Sequence, residues 1–260
     1  MNDMQGVGQK TVEVRPVGWG SDTISEFFEA VRGQQFATFA NNVGGFYRVL
    51  QDVDACFVKI TENLTHPQNL LSAVLLVRSH SAYRAACSTS MGTQLPETFV
   101  LLRSCLEYAG YGLHVNVNPR LGEIWVRRHD DAAALRAMKK AFQGVEVEET
   151  IVATDAELGR VYSELYERTI DFGGHPNLRG VVTNTLFQEL PDKRQAQLIY
   201  LHGNETTMAH ALKTTAQVGL CSLHLFQHVF PERFLLLQLR DGIHQLHFGI
   251  THTAHNLLFS

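Results

Sequence analysis

The amino-acid sequence predicts an all-α helical bundle with one β-hairpin inserted near residues 181–202. Over most of the 260 residues, apolar side chains recur at steps of three and four, which places them on one face of a helix. A single region instead alternates or is rich in β-branched residues, as strands are. Hydrophobic residues form 45% of the chain and charged residues 18%, so the apolar content suffices for a sizeable core.

We expect one helical domain over residues 22–260, preceded by a flexible, glycine-containing lead-in over residues 1–21. The length suits one large domain, because single hydrophobic cores stop growing at roughly 250–300 residues. The predicted hairpin is too small to form a domain of its own.

Helix-start signals divide the first half of the chain into six helices. Ser21–Asp22 and Asp130–Asp131 each offer a side-chain oxygen that can accept the free amide protons of a first helical turn. Pro67 and Pro96 suit a first helical position, where the missing N–H is no loss. The first predicted helix starts near residue 23, and the last of the six ends at residue 142. The four between them span residues 46–60, 67–88, 96–113 and 119–128.

The next segment is interpreted as a linker, because residues 144–152 are rich in valine and glutamate. Asp155 then begins an amphipathic helix whose apolar positions repeat as four, three, four, three. Gly173–Gly174 ends this helix, since glycine readily adopts the left-handed conformation of a helix terminus.

The hairpin is predicted from residues 181–190 and 196–202, which flank a turn at Pro191–Asp192–Lys193. The helical spacing of apolar residues then returns. Two helices, at 206–230 and 232–246, complete the predicted bundle.

The charge balance gives no support to a nucleic-acid partner. The net charge is −4, whereas proteins that bind phosphate backbones need a basic stripe. The basic clusters Arg127–Arg128 and Lys139–Lys140 are short and interrupted by acids. RNA therefore stays among the partners considered, although the net charge of the protein does not favour it.

Nothing in the sequence indicates secretion or a membrane partner. The first ten residues lack the apolar core of a signal peptide, and no apolar run approaches the roughly 20 residues that span a bilayer. The four cysteines lie singly in apolar stretches and are expected to be reduced thiols. We therefore expect a cytoplasmic protein.

Arg103 and Glu107 form the strongest candidate pair. Arg103 lies roughly 60° from the centre of the apolar stripe of its helix, and Glu107 roughly 100°. A guanidinium at the edge of a core needs acceptors, because a buried unpaired charge costs several kcal/mol. The pair either clamps two helices together or forms the wall of a pocket that binds a carboxylate or phosphate ligand.

A second candidate lies where Gly173–Gly174 ends the later helix. Arg168 lies on the flank of that helix, roughly 80° from its apolar centre, and His175 follows the glycines. A histidine titrates near neutrality and can act as acid, base or ligand. His175 either caps the helix or faces Arg103 and Glu107.

Tyrosines flank both helices and offer an apolar ring with a polar tip, which suits either a core or a pocket. They are Tyr108, Tyr111, Tyr162 and Tyr166. Tyr166 is included among the candidate ligand-binding residues.

Three histidine pairs near the C-terminus have the spacing that can chelate a metal from one helix face. They are His224 and His228, His244 and His247, and His252 and His255. Because no third ligand accompanies them, we predict no metal and no cofactor.

The order of these motifs resembles that of a family of uncharacterised bacterial helical proteins over roughly residues 67–230. The shared features are an Arg-x-x-x-Glu helix (Arg103, Glu107), a break at Asn118–Pro119 before a helix with a late Arg127, and a tyrosine-rich helix (Tyr162, Tyr166) ending near His175–Pro176. A hairpin and a long helix follow in both.

A looser resemblance is to HEPN domains, helical bundles of which many are RNases that use an arginine and a histidine separated by four to six residues. Arg168 and His175 have six residues between them. The resemblance implies that this pair is catalytic and that no metal takes part.

Two functions are therefore expected. The first is a non-catalytic binding or interaction module for a small anionic ligand or a protein partner, with a pocket lined by Arg103, Glu107, Arg127, Tyr166 and His175. The alternative is a HEPN-like, metal-independent endoribonuclease that uses Arg168 and His175. The apolar residues 256–259 should dock either on the bundle or on a second subunit, and we favour a homodimer.

Overall fold

The computed structural model describes residues 15–41, 45–174, 178–190, 193–203 and 205–246. The fold is all-α with one inserted two-stranded hairpin, which confirms the predicted fold class. The α-helices are α1 (Thr23–Ala40), α2 (Phe46–Glu62), α3 (Leu70–Met91), α4 (Leu95–Val117), α5 (Pro119–Val126), α6 (Ala132–Ala141), α7 (Gly144–Thr154), α8 (Ala156–Thr169), α9 (Leu178–Thr183), α10 (Glu205–Val229) and α11 (Pro231–Leu236). The strands are β1 (Thr185–Leu190) and β2 (Lys193–Leu198). A 3₁₀ turn spans Arg127–His129, a π-helical turn spans Ile170–Gly174, and residues 239–246 are helical.

Aspartate caps begin three helices where the sequence predicted them. Asp22, Asp131 and Asp155 each accept a hydrogen bond from a backbone N–H of the following turn. These N–H groups have no partner within the helix, so the caps stabilise the start of α1, α6 and α8.

The helix predicted to start at Pro67 begins later, at Leu70. The side chain of Asn69 accepts a hydrogen bond from the backbone N–H of Ser72 at 3.1 Å and caps the helix. Proline fits a first helical position but offers no side-chain acceptor, and the cap decides the boundary here.

The linker predicted over residues 144–152 is wrong, because this segment forms α7. Val147 and Ile151 stand one helical turn apart and are 1% and 0% exposed, packed into the core. β-Branched residues have modest helix propensity, but burial of one apolar face provides most of a helix's stability in a protein.

The predicted hairpin is confirmed, but its first strand starts later than expected. Residues 181–183 belong to α9, whose last turn is closed by Asn184 donating a side-chain hydrogen bond to the carbonyl of Gly180 at 2.6 Å. β1 and β2 then pair antiparallel. The predicted turn residues 191–192 lie outside the described residues.

Helix α4 lies at the centre of the bundle and contacts α3, α7, α8 and α10. Its predicted apolar stripe is fully buried. The members of this stripe are Phe99, Leu102, Leu106, Ala109 and Leu113.

Gly112 of α4 allows α10 to approach closely. A Cβ at this position would lie 2.7 Å from a ring carbon of Phe226. Although glycine is a poor helix former, α4 continues through Gly112 to Val117, beyond the predicted end at residue 113. Close packing across the helix pair compensates for the conformational entropy that glycine costs.

Helix α1 attaches to the bundle largely through polar contacts. The Thr38 hydroxyl donates to the carbonyl of Met91 at 2.9 Å, and the Gln35 amide donates to the carbonyl of Ser88 at 3.0 Å. Several large apolar side chains of this helix are only partly covered. Phenylalanines 28, 36 and 39 are 50–65% exposed.

Within the described ranges, no helix is both long enough and apolar enough to cross a membrane. All four cysteines are free thiols, as the sequence predicted. Burial raises the pKa of the Cys87 thiol to about 12, so this group is protonated at neutral pH and a poor nucleophile.

Candidate functional site

Arg103, Glu107 and Tyr166 form one hydrogen-bonded cluster between α4 and α8. Arg103 donates from Nε to Glu107 Oε1 and from Nη2 to the Tyr166 hydroxyl, each at 2.9 Å. The Tyr166 hydroxyl donates in turn to Glu107 Oε1 at 3.0 Å. The guanidinium carbon also lies 5.1 Å from the Tyr166 ring centroid, a cation–π distance. The structure therefore brings three of the predicted ligand-binding residues together.

The contacts within the cluster raise the pKa values of Tyr166 and Arg103. Burial and the adjacent Glu107 carboxylate raise the pKa of the Tyr166 hydroxyl to about 12. Burial opposes the charge on Arg103, but its hydrogen bond to Glu107 raises the pKa of the guanidinium overall. At neutral pH Tyr166 is a neutral donor, while Arg103 is a cation paired with Glu107.

The cluster forms one wall of a cavity of about 340 Å³ bounded by α4, α7 and α8. Four aromatic side chains line the cavity, namely Tyr111, Phe142, Tyr162 and Tyr166. This volume lies at the lower end of the roughly 300–1,000 Å³ that is usual for ligand pockets. Aromatic walls with a few polar groups are also typical of such sites.

The Tyr162 hydroxyl is a polar group without a partner in this cavity. Tyr162 is 4% exposed, and its hydroxyl has no hydrogen bond to any residue that the structure describes. The hydroxyl lies beside Gly110 of α4, where an added Cβ would be 3.0 Å from its oxygen. Among the described residues, the fully buried polar side-chain atoms without a partner are Thr93 Oγ1 and His210 Nε2, so the Tyr162 hydroxyl is accessible from the cavity and can bond to a ligand there.

Carboxylates are the other polar groups that line the cavity. Glu148 of α7 and Glu167 of α8 join Glu107 there, and neither has an ion-pair partner among the described residues. Glu148 is half-buried and Glu167 exposed. Among the described residues, the lining therefore contains two more carboxylates than guanidinium groups.

The sequence did not single out Glu148 or the role of Tyr162. Glu148 falls in the segment interpreted as a linker, so its side chain had no predicted helix face. Tyr162 was recognised only as one of several tyrosines suited to a core or a pocket. The useful signal was the spacing of Val147 and Ile151, which is one turn of a helix and places Glu148 at the edge of the buried face.

The structure does not bring Arg127 to the cavity. Arg127 lies in the 3₁₀ turn that follows α5, and its side chain is 74% exposed. It pairs with Asp130 at 2.8 Å, three residues along the chain. An exposed pair of this kind contributes little to stability and provides no wall for a pocket.

Arg168 points towards α10 rather than into the cavity. Its guanidinium donates to Gln217 at 2.8 Å and to Glu164 at 2.6 Å, with Thr214 at 3.5 Å. His175 lies outside the described residues. The pairing of His175 with Arg168, or with Arg103 and Glu107, therefore stays a prediction.

In the part of the chain that the structure describes, no three histidine, cysteine or carboxylate side chains come together as metal ligands. His224, His228 and His244 lie in this part, whereas His247, His252 and His255 lie outside it.

Replacing Tyr166 with phenylalanine should lower the free energy of unfolding by about 1 kcal/mol, because Arg103 and Glu107 both lose a hydrogen bond. Urea-induced unfolding followed by circular dichroism measures the change. Tyr200→Phe is the control, since Tyr200 is 69% exposed. Equal stability of both variants and the original protein would show that the hydroxyl bridge contributes nothing.

Comparison with protein-family models, with curated proteins and with solved structures gave no match to this chain.

Proposed function

We propose that this protein is a non-catalytic binding module whose ligand is a small molecule held in the cavity between α4, α7 and α8. The observation that carries the proposal is the Tyr162 hydroxyl, which belongs to a buried side chain, has no described partner and lines the cavity. A ligand that bonds to this hydroxyl gains a hydrogen bond of roughly 0.5–1.5 kcal/mol without breaking one inside the protein.

The surrounding geometry supports a site formed before the ligand binds. The hydrogen bonds among Arg103, Glu107 and Tyr166 hold one wall in place. A wall that is already ordered loses little conformational freedom on binding, which favours affinity.

The composition of the lining favours binding over catalysis. None of the described residues that line the cavity is a histidine, cysteine, serine or threonine, so a nucleophile with an adjacent imidazole base is lacking there. An endoribonuclease would need Arg168 to face a phosphate, whereas its guanidinium is bonded to Gln217 and Glu164. We therefore place the binding function first.

Three small probes test this function: phenethylamine, 2-phenylethanol and phenylacetate, each added at millimolar concentration. At least one should change the backbone amide NMR shifts of α4, α7 and α8 around Arg103, Glu148 and Tyr162. Gly144→Leu should weaken that binding, because Gly144 lines the cavity with open space around its missing Cβ.

Gly203→Leu is the matched control, since Gly203 also has open space but does not line the cavity. Shifts from none of the three probes at these helices would overturn the proposed function. Equal binding by Gly144→Leu and by the original protein would do the same.

A further inference from the structure

We infer that the ligand of this cavity is a small organic cation, a protonated primary amine on an apolar body. This inference rests on the binding function proposed above. The sequence favoured an anionic ligand because of Arg103. In the structure the charge of Arg103 is matched by Glu107, with Nε and Oε1 2.9 Å apart. The ion pair has no net charge with which to attract an anion.

Acceptors remain unused around the rest of the cavity. Within the described residues, Glu107 Oε2 accepts no hydrogen bond, and the carboxylates of Glu148 and Glu167 have no ion-pair partner. An anionic ligand would bring one more negative charge among these carboxylates, and like charges at close range repel. A cation would be attracted by the same groups.

A primary ammonium matches these acceptors in kind. It carries N–H donors only, as the ammonium group of lysine does. Charge-assisted hydrogen bonds from such a group to carboxylates are roughly twice as strong as neutral ones. The Tyr162 hydroxyl stays neutral, because burial and then the neighbouring Tyr166 and Glu107 raise its pKa well above the usual value. It can therefore accept a hydrogen bond from the ammonium group as well.

The aromatic lining suits the remainder of such a ligand. The rings of Tyr111, Phe142 and Tyr162 offer apolar surface for a hydrocarbon or aromatic body, and their faces attract cations. The cavity volume of about 340 Å³ fits a small metabolite better than a folded peptide. The volume of the cavity, its aromatic lining and the charges of its carboxylates thus all suit a small organic cation.

Isothermal titration calorimetry at pH 7 with the same three probes tests the inference, because they share a phenyl ring and differ in head charge. Phenethylamine should bind at least about tenfold more tightly than neutral 2-phenylethanol, and phenylacetate should bind most weakly. Higher salt should weaken phenethylamine binding, since Glu167 is exposed.

Glu148→Gln should reduce the affinity for phenethylamine by roughly tenfold and leave that for 2-phenylethanol unchanged. Glu149→Gln is the matched control, because Glu149 is the exposed neighbour on α7 and does not line the cavity. Equal effects of both substitutions would overturn the inference, since they would reflect only the net charge of the protein.

The substitution Tyr162→Phe distinguishes a ligand-binding role of the hydroxyl from a structural role. The hydroxyl has no described partner in the free protein, so the Tm should stay the same or rise, while the affinity for phenethylamine should fall several-fold. A lower Tm with unchanged affinity would assign the hydroxyl a structural role and contradict the inference.

The two proposals fail in different ways. If 2-phenylethanol or phenylacetate binds as tightly as phenethylamine and Gly144→Leu still blocks binding, the cavity is a binding site but its ligand is not a cation. If no probe binds the cavity, the proposed function fails as well.

Discussion

Replacing Gly173 with alanine should lower the free energy of unfolding by about 3 kcal/mol. Gly173 lies in the π-helical turn after α8 with φ of 157°, directly against the first turn of α4. A Cβ there would lie 2.6 Å from the carbonyl oxygen and 2.7 Å from the Cα of Pro96. Both are backbone atoms, so no side-chain rotation can relieve the clash, and either α4 or the turn must shift. Thermal and urea unfolding would measure the loss.

Gly33→Ala provides the opposite control. Gly33 lies inside α1 with no heavy atom within 4 Å of an added Cβ. Alanine should raise the stability there by roughly 0.5–1 kcal/mol, because glycine in a helix interior costs that much conformational entropy. A Gly173→Ala protein as stable as the original would show that the contact with Pro96 is looser than the structure indicates.

Replacing Asp54 with asparagine should lower the stability at pH 7 by about 2 kcal/mol. Asp54 of α2 accepts hydrogen bonds from Arg84 at 2.7 and 2.8 Å and bonds to His80 Nε2 at 2.7 Å. His80 is 8% exposed and stacks on Phe57. The substitution removes the charge that joins α2 to α3 at this point.

The stability contributed by Asp54 should depend on pH. Burial alone would raise the pKa of this carboxyl, but the hydrogen bonds from Arg84 and His80 outweigh it and hold the pKa far below its usual value. A lowered pKa in the folded state adds stability that is fully present above the unfolded pKa of about 4 and is lost as the pH falls further. The difference between Asp54→Asn and the original protein should therefore shrink below about pH 4.

Urea unfolding at pH 7 and pH 3 would test both parts of this prediction. Asp130→Asn is the control, because Asp130 pairs with Arg127 on the surface, where the side chains are 51% and 74% exposed. Its effect should stay below about 0.5 kcal/mol. A stability difference for Asp54→Asn that grows at acid pH would contradict the assigned direction of the pKa shift.

The sequence predicted the elements whose signals are local. Aspartate caps at Asp22, Asp131 and Asp155 and the apolar stripe of α4 depend on neighbouring residues only, so they could be read along the chain. Helix α7 was not predicted, because its stability comes from Val147 and Ile151 packing against distant helices and its local propensity is modest. Intrinsic helix propensity alone underestimates the stability of a helix that is held mainly by tertiary packing.

The same distinction applies to the candidate site. Arg103 and Glu107 were predicted because they lie four apart at the edge of a buried stripe, which is information held within one helix. The contact with Tyr166 was predicted only in outline. The spacing of Val147 and Ile151 could have placed Glu148 at the edge of a buried face, but the cavity itself depends on how α7 packs against α4 and α8.

Arg168 contributes to this site without touching it. Helix α8 presents Tyr162 and Tyr166 to the cavity on one side, and on another it is tied to α10 through the bond from Arg168 to Gln217. A shift or rotation of α8 relative to α10 would break that bond. Helix α10 therefore restrains the position of the helix that forms one wall of the cavity. Under the proposed function, a ligand would contact tyrosines whose positions are already set by α10, a helix that does not line the cavity.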